Sequence, residues 1–578
     1  MHDESQASQS LESREALLRE VLQKEFGGMD AAAWGAVAPR IRWLQLAAGE
    51  ILCREGEAAD TMYVVLSGRL RASRRSDGED RVVGEISRGE TVGEMALLAG
   101  GVRTATVQAM RDCVLAGLDR AGFVELARLS PESVMRVAQI QMQRLQRANL
   151  PPSPFKKQIC LALYTAAPGV DSSAFARDLH GEIAKRARTL LVGSDDAPPG
   201  GRTDAEVGQR IALWLSEQEA ATDVLIMACG TATTTWTRQC LRHADLVLLL
   251  APPGTRPSVP DNLIPRGIPR TLVVIHPDGG REPRGTAAAR SACGATAHFH
   301  LRRNSAADLL RLGRLLTGNA NGIAFAGGGA RSFSHLGVLN ALEEHGIPVD
   351  LAAGTSLGAI VAAGVSLDLD LEELMRRFRI MVQRNPTKRD YLLFPSTSFL
   401  SGKKLDRLLP HLLPDSDIED SWKDFACVSA NLTHPSAHVH QSGSLLRSLR
   451  ATVSIPGVFP PVVTEEGDLL VDGGVVNNLP ADILRNRGAG KLIACDQGGP
   501  TASGKGGDTP KAIAIIMRSV VLHSRITGRA WRTAADLYFE SPVNDISLLE
   551  WDKFDLAVSR GYENAKRVLE GVDPSEWQ

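Results

Sequence analysis

The 578 residues contain no run of about 18 consecutive apolar residues, so the sequence offers no segment long enough to span a bilayer as a helix. The N-terminus, MHDESQASQSLESREALLREV, is polar and acidic where a secretory signal would be basic and then apolar. Cysteine is sparse. The eight stand at 53, 113, 160, 229, 240, 293, 427 and 495, with no CxxC pair and no clustering with histidine at metal-ligand spacing. Reduced, structural thiols in an intracellular, cytoplasmic protein without a metal site are the expectation. An excess of either charge is missing too: 65 Lys and Arg stand against 67 Asp and Glu, a net charge of -2. That argues against a general nucleic-acid binder. A nucleotide loop of the form GxxxxGK[ST] is also absent. The near-match Gly499–Gly506 has Gly506 where a hydroxyl would hold Mg²⁺, and no helix signal follows it.

What is present divides the chain by pattern. Residues 1–9 read as disordered and 13–26 as a short helix with Leu18, Val21, Leu22 and Phe26 on one face. Residues 41–119 form many short β segments punctuated by Gly56, Gly68, Gly78 and Gly89, the spacing of a small barrel or jelly roll. Helical patterns follow, including ESVMRVAQIQMQRLQRA, and PPSP at 151–154 ends them as a linker. From 158 to 317, apolar runs such as QICLALYT, DVLIMAC, DLVLLLAP and TLVVIHP alternate with helical stretches, which predicts a parallel α/β layer. Trp236, Asp245 and the His298/His300 pair there read as structural. Residues 321–578 repeat the α/β style with far more motif content. The expected domains are a tail and helix at 1–29, a β-barrel domain at 30–150, an α/β Rossmann-like domain at 155–317 and an α/β/α domain at 320–578, with boundaries near 152 and 319.

The β-rich region contains GETVGEMALLAGGVRTATVQA. Gly93-Glu94 precedes the short apolar helix candidate Met95–Leu98, and Arg103-Thr104 follows. A helix N-terminus favours a phosphate, Arg103 can give it a planar pair of donors, Glu94 can accept from a ribose hydroxyl, and Thr104 can add a hydroxyl. This stretch resembles the phosphate-binding cassette of the cyclic nucleotide-binding domain family, with Val102 where that family often has Pro. The resemblance implies cAMP or cGMP as a regulatory ligand.

The stretch GIAFAGGGARSFSHLGVLNALEEHGIPVDLAAGTSLGAIVAAG, Gly322 to Gly364, holds two glycine turns, each after an apolar run and each before a helix. Asp350 lies where a dinucleotide fingerprint would place its acid. Three things oppose that reading. Ser332 occupies the third-glycine position, Asp350 begins its strand rather than ending it, and that strand ends in Gly354-Thr355-Ser356-Leu357-Gly358. The last is a nucleophile elbow in strand–turn–helix context, with Gly354 and Gly358 allowing the sharp turn. The first turn, Gly327, Gly328, Gly329 and Arg331, would meet the same sheet edge and offer amides to an oxyanion. In LLVDGGVVNNLP, Asp472 ends an apolar strand as a candidate base.

GGGAR, GTSLG and DGG, in this order, resemble the patatin-like phospholipases. LRATVSIPGVFPPV and HFHLRRNSAADLLRLGRLLTGNANGIAF are similar to the neuropathy target esterase-like branch. The resemblance implies a Ser356–Asp472 dyad without histidine, an acyl-enzyme, no catalytic cofactor, (lyso)phospholipid esters as substrates and peripheral membrane contact. Three rivals remain. One is a triad using His523, which alone among histidines follows Asp472. A second is a cyclic-nucleotide-responsive interaction protein with an inactive patatin domain. The third is a dinucleotide oxidoreductase.

Overall fold

The computed structural model describes residues 31–76, 79–94, 101–130, 159–201, 203–279, 282–394, 397–498 and 522–578, with Leu18, Arg19, Val21 and Met135 besides. The expected tail at 1–9, most of the helix at 13–26, the cassette helix Met95–Leu98, the linker at 151–154 and the loop Gly499–Gly506 lie outside them. Two compact units divide the chain: Met1–Ala166 with Asp171–Leu250 and Ser258–Thr271, and Ala167–Val170 with Ala251–Pro257 and Leu272–Gln578.

The first unit opens with two antiparallel four-stranded sheets. One orders its strands Arg42–Leu46, Cys113–Asp119, Thr61–Ser67 and Thr91–Val92; the other orders Ile51–Cys53, Thr106–Ala109, Leu70–Ser76 and Glu79–Ile86. Leu46, Val65, Leu70, Val107 and Leu115 fill one shared core. The helix Arg120–Leu129 follows, capped by Asp119, whose carboxylate accepts from the Gly122 N–H at 2.8 Å. Parallel strands come next, ordered Thr189–Val192, Val224–Gly230, Ile159–Thr165 and Leu246–Ala251. Their near-continuous burial matches the uninterrupted apolar runs of the sequence, as expected of strands covered on both faces.

The second unit is built on an eight-stranded sheet. Its strands are β1 (Ala320–Phe325), β2 (Leu351–Thr355), β3 (Asp424–Asn431), β4 (Ser436–His440), β5 (Val462–Val463), β6 (Leu469–Asp472), β7 (Ala489–Asp496) and β8 (Leu537–Glu540). The order is β5-β6-β3-β2-β1-β7-β8, with β4 also paired to β3. The run from β3 through β8 is parallel, whereas β4, β5 and β6 are antiparallel additions. Alternate residues separate into two cores. Ile323, Phe325, Ala352, Phe425 and Ile493 pack on one face; Ala324, Leu351, Ala353, Ala426 and Leu492 pack on the other. This period-2 division of fully apolar strands is what a sheet covered by helices on both faces requires. Among those helices are α1 (Ser334–His345), α2 (Leu357–Ser366), α3 (Leu445–Thr452) and α4 (Phe554–Leu569). Asp350, placed in the sequence at the start of β2, is almost fully buried. It accepts from Arg314 at 2.8 and 2.6 Å and from the Asn321 N–H at 2.8 Å, tying the starts of β1 and β2 together.

Candidate active site

Ser356 sits between β2 and α2 with φ 55° and ψ -132°, a conformation rare for a residue with a Cβ. The turn is held by its neighbours. A Cβ on Gly354 would meet the Gly358 carbonyl at 2.5 Å, and one on Gly358 would meet the Ala326 and Phe325 oxygens at 2.6 Å. Only glycine fits at either position, and the strained serine is kept there by this packing. The Ser356 N–H donates to Thr452 Oγ1 at 2.9 Å, and Thr452 in turn donates to the Val428 carbonyl. The elbow is thereby pinned to α3 and β3.

Asp472 meets the serine hydroxyl. Ser356 Oγ donates to Asp472 Oδ2 at 2.6 Å, and the Gly474 N–H donates to Oδ1 at 2.8 Å. The carboxyl is buried, and loss of solvation raises its pKa from 3.8 to about 6 against the lowering effect of those two hydrogen bonds. Its strand, β6, runs antiparallel to β3. β3 pairs with β2 only as far as Val428 and continues beyond it; β6 pairs with that overhang, Ser429 opposite Asp472. The C-terminal end of β6 thus comes down to the level at which β2 ends.

The first glycine turn lies against this pair. A Cβ on Gly327 would stand 2.9 Å from Ser356 Cβ. The Gly327 N–H already donates to the Asn478 carbonyl at 3.2 Å, and Asn478 Nδ2 returns a bond to the Gly327 oxygen at 3.1 Å. Gly327 therefore shapes the turn and has no amide to spare, which leaves the amides of Gly328 and Gly329 as candidate oxyanion donors. Gly329 has φ +54°. Arg331 points away from a substrate role: Nε donates to the Ile546 carbonyl at 2.6 Å and Nη2 to Asn544 at 3.2 Å. It ties the turn to the 544–546 loop. Ser332, where glycine would be usual, is fully buried, and its hydroxyl accepts from Gln497 Nε2 at 2.8 Å. The same amide donates to the Ala326 carbonyl at 2.9 Å, an oxygen that His335 Nε2 also approaches to 2.9 Å. Burial pushes the His335 ring down to about 4, so it stays neutral beside the turn.

Thr452, Asn478 and Gln497 were not singled out from the sequence. Gln497 carried one signal: it directly follows β7 at the carboxyl edge, where α/β proteins place functional polar groups. His523 belongs to the helix Leu522–Gly528, and its side chain lies outside the described residues.

The other singled-out groups take structural places. Trp236 Nε1 donates to the Ala228 carbonyl at 2.9 Å, and Asp245 accepts from the Cys160 N–H at 2.9 Å. His300 lies 3.0 Å from His276 and 3.1 Å from the Glu419 carbonyl. Among the described residues, Cys160, Glu219 and His243 have metal-like spacing. A cation there would face Arg111, which donates to Glu219 at 2.5 Å, and a thiol that burial holds far above its ordinary pKa. All eight cysteines are buried and free.

In the barrel, Glu94 and Arg103 are both buried and Thr104 is exposed. Arg103 Nη2 donates to the Thr61 carbonyl at 2.8 Å, and its guanidinium lies 6.0 Å from the Tyr63 ring centre. Nη1 is buried over Gly93 and donates to no group among the described residues.

The fold and the β2 edge define an α/β domain of the patatin-like class, which follows a cyclic-nucleotide-type barrel in the sequence. Comparison with known proteins names the same parts. Residues 323–485 match the patatin-like phospholipase family, 43–129 the cyclic nucleotide-binding domain, and 204–308 the Neuropathy Target Esterase family P-loop like domain. The chain thus carries a patatin-like phospholipase domain together with a cyclic nucleotide-binding domain and a P-loop-like domain of the neuropathy target esterase type. It is 32% identical to the mouse (Mus musculus) patatin-like phospholipase domain-containing protein 6, over 79% of this chain and 38% of the relative. It is 27% identical to lysophospholipase nte1 of Aspergillus oryzae, over 92% of this chain and 41% of the relative. The chain therefore spans well under half the length of these curated relatives. Among solved structures, the cAMP-bound regulatory domain of Toxoplasma gondii PKA is 30% identical over 22% of this chain and 49% of that one, with a TM-score of 0.20. No helix among the described residues is long and apolar enough to cross a membrane.

Proposed function

We propose that the chain hydrolyses carboxylic esters of phospholipids or lysophospholipids through a Ser356–Asp472 dyad. The observation that carries this reading is the 2.6 Å hydrogen bond from the hydroxyl of a strained elbow serine to a carboxylate whose pKa burial has raised to about 6. An ordinary aspartate is too weak a base to take a serine proton near neutral pH; one raised toward 6 is better matched and still largely ionised. Asp472 accepts the Ser356 proton as Oγ adds to the ester carbonyl. The amides of Gly328 and Gly329 stabilise the oxyanion. Collapse expels the alcohol, which takes the proton from Asp472 and leaves an acyl-serine. Water then attacks the acyl group, gives its proton to Asp472, and the fatty acid leaves as the proton returns to Ser356 Oγ. Nucleophile and base are both side chains, so the reading calls for no cofactor in these steps. The relatives' names, phospholipase and lysophospholipase, support the substrate class.

In the same reading the barrel, bounded near 152, takes cAMP or cGMP. Arg103 Nη1, which has no acceptor among the described residues, donates to a cyclic phosphate, and the hydrolase domain, from about 320, responds to it. The protein works in the cytoplasm, peripheral on a membrane. A fluorophosphonate probe tests the core of the proposal: labelling of the wild type that is lost in Ser356→Ala supports it, and equal labelling of both overturns it. Esterase kinetics with and without saturating cAMP or cGMP test the regulation, and identical rates overturn that part.

A further inference from the structure

Between α2 and α3 the chain reads TKRDYLLFPSTSFLSGKK, from Thr387 to Lys404. Its base is clamped. Asp390 accepts from Ser401 Oγ at 2.6 Å and from the Gly402 N–H at 2.9 Å, and the Ser401 N–H donates to the Asp390 carbonyl at 2.8 Å. Above this clamp the Leu392 N–H donates to the Phe399 carbonyl at 2.9 Å, which makes a narrow finger. Four large apolar side chains of it face solvent: Tyr391 is 75% exposed, Leu393 88%, Phe394 85% and Phe399 51%. Single exposed apolar residues are ordinary, but four large ones on one clamped finger are not. Core packing does not account for Phe394 and Phe399 at this exposure, whereas Phe459 is buried.

The finger is tied to the site. The Phe399 N–H donates to the Gly457 carbonyl at 2.8 Å and the Leu400 N–H to Val458 at 3.0 Å. A few residues earlier on that same segment, the Ser454 carbonyl accepts from the Asp472 N–H at 2.9 Å. Cations frame the base, with Lys388, Arg389 and Lys403 exposed and Lys404 half-buried. An apolar tip above a basic collar has the chemistry of an interfacial anchor: rings and leucine enter the acyl boundary while cations meet anionic headgroups.

We propose that Tyr391, Leu393, Phe394 and Phe399 insert into the surface of an anionic lipid bilayer and seat the Ser356 edge against it. This deepens, and rests on, the reading of the second unit as a lipid-ester hydrolase. The test uses the full chain and vesicles of phosphatidylcholine with or without phosphatidylserine, read by co-sedimentation. L393D/F394D is expected to lose about a hundredfold in vesicle affinity, from the apolar area of two side chains. K388E/R389E is expected to lose about fivefold per charge on phosphatidylserine-containing vesicles and little on phosphatidylcholine alone. S356A should bind vesicles as the wild type does. Turnover of a short, water-soluble ester should survive in L393D/F394D, which shows that the variant is folded, while turnover of vesicle lipid falls with binding. Unchanged vesicle binding by L393D/F394D overturns the proposal. So does a finger-dependent dimer without vesicles, because the finger would then be covered by a second copy. Should the wild type cleave no ester at all, the hydrolase reading fails, and the vesicle arm still decides the anchor.

Discussion

The β2 edge and the barrel pocket each use a small set of buried polar groups, and they leave them in opposite states. At the β2 edge the hydroxyl of Ser356 is engaged by Asp472, the second carboxylate oxygen is engaged by Gly474, and the serine amide is engaged by Thr452. In the barrel, Arg103 has one nitrogen satisfied by Thr61 and another buried with no acceptor among the described residues. An unpaired buried donor costs about 1–3 kcal/mol, more when charged. The contrast separates two kinds of preorganisation. On the proposed reading, the catalytic groups are held in their reacting geometry before substrate arrives, with the strain in the backbone of Ser356, whereas the binding group has a nitrogen without a partner among the described residues, which the ligand would complete.

The sharpest way to break this comparison is Ser356→Ala, expected to lower ester turnover by about 10⁴-fold or more in a steady-state assay with the fold intact by circular dichroism. Residual activity near wild type would mean that the β2 edge is not the catalytic one. Asp472→Asn should cost about 10³–10⁴-fold. In the wild type, activity should rise with pH along a limb centred near 6, because the base must be ionised. The stability effect has the opposite sign. A carboxyl with a raised folded pKa binds more protons folded than unfolded, so its contribution is fully present below about 3.8 and is lost as pH rises through about 6. Asp472→Asn should therefore be more stable than wild type at pH 8 by about 2–3 kcal/mol, and equal to it below pH 4. Urea denaturation at the two pH values checks this. In the barrel, Arg103→Ala should weaken cAMP or cGMP binding by about 10–100-fold in a titration, since the lost bonds are charge-assisted. The smallest effect is expected at Ser332→Gly. It removes the acceptor for Gln497 and should cost about 1–2 kcal/mol of stability, with turnover changed less than about tenfold.

Fold class and elbow were legible because their signals are local. Apolar runs alternating with helices announced the parallel layers, and Gly354 and Gly358 around Ser356 announced a turn that nothing larger can make. Asp472 was legible only as an aspartate ending a strand. The direction of that strand was not: β6 is antiparallel and reaches Ser356 by pairing with the overhang of β3, and an overhang is a difference in strand length that leaves no mark on β6 itself. The first glycine turn was readable as a motif but not as a set of free donors. Whether Gly327 can give its amide depends on Asn478, 151 residues away. The exposed apolar side chains at Tyr391, Leu393, Phe394 and Phe399 were not legible, because exposure depends on what the tertiary fold leaves uncovered. Ser332 looked like an irregularity for a similar reason: its partner, Gln497, comes from the residue just after β7.

The burial of all eight cysteines gives the chain a built-in reporter. Two lie in the barrel, at 53 and 113; three in the neighbouring α/β layer, at 160, 229 and 240; and three in the second unit, at 293, 427 and 495. In the folded state none presents an accessible thiolate, so a thiol reagent reacts only with molecules that have opened around a given cysteine. Timed alkylation followed by peptide mapping would then give a separate opening rate for each part of the chain, and adding cyclic nucleotide would show which of those clocks slows.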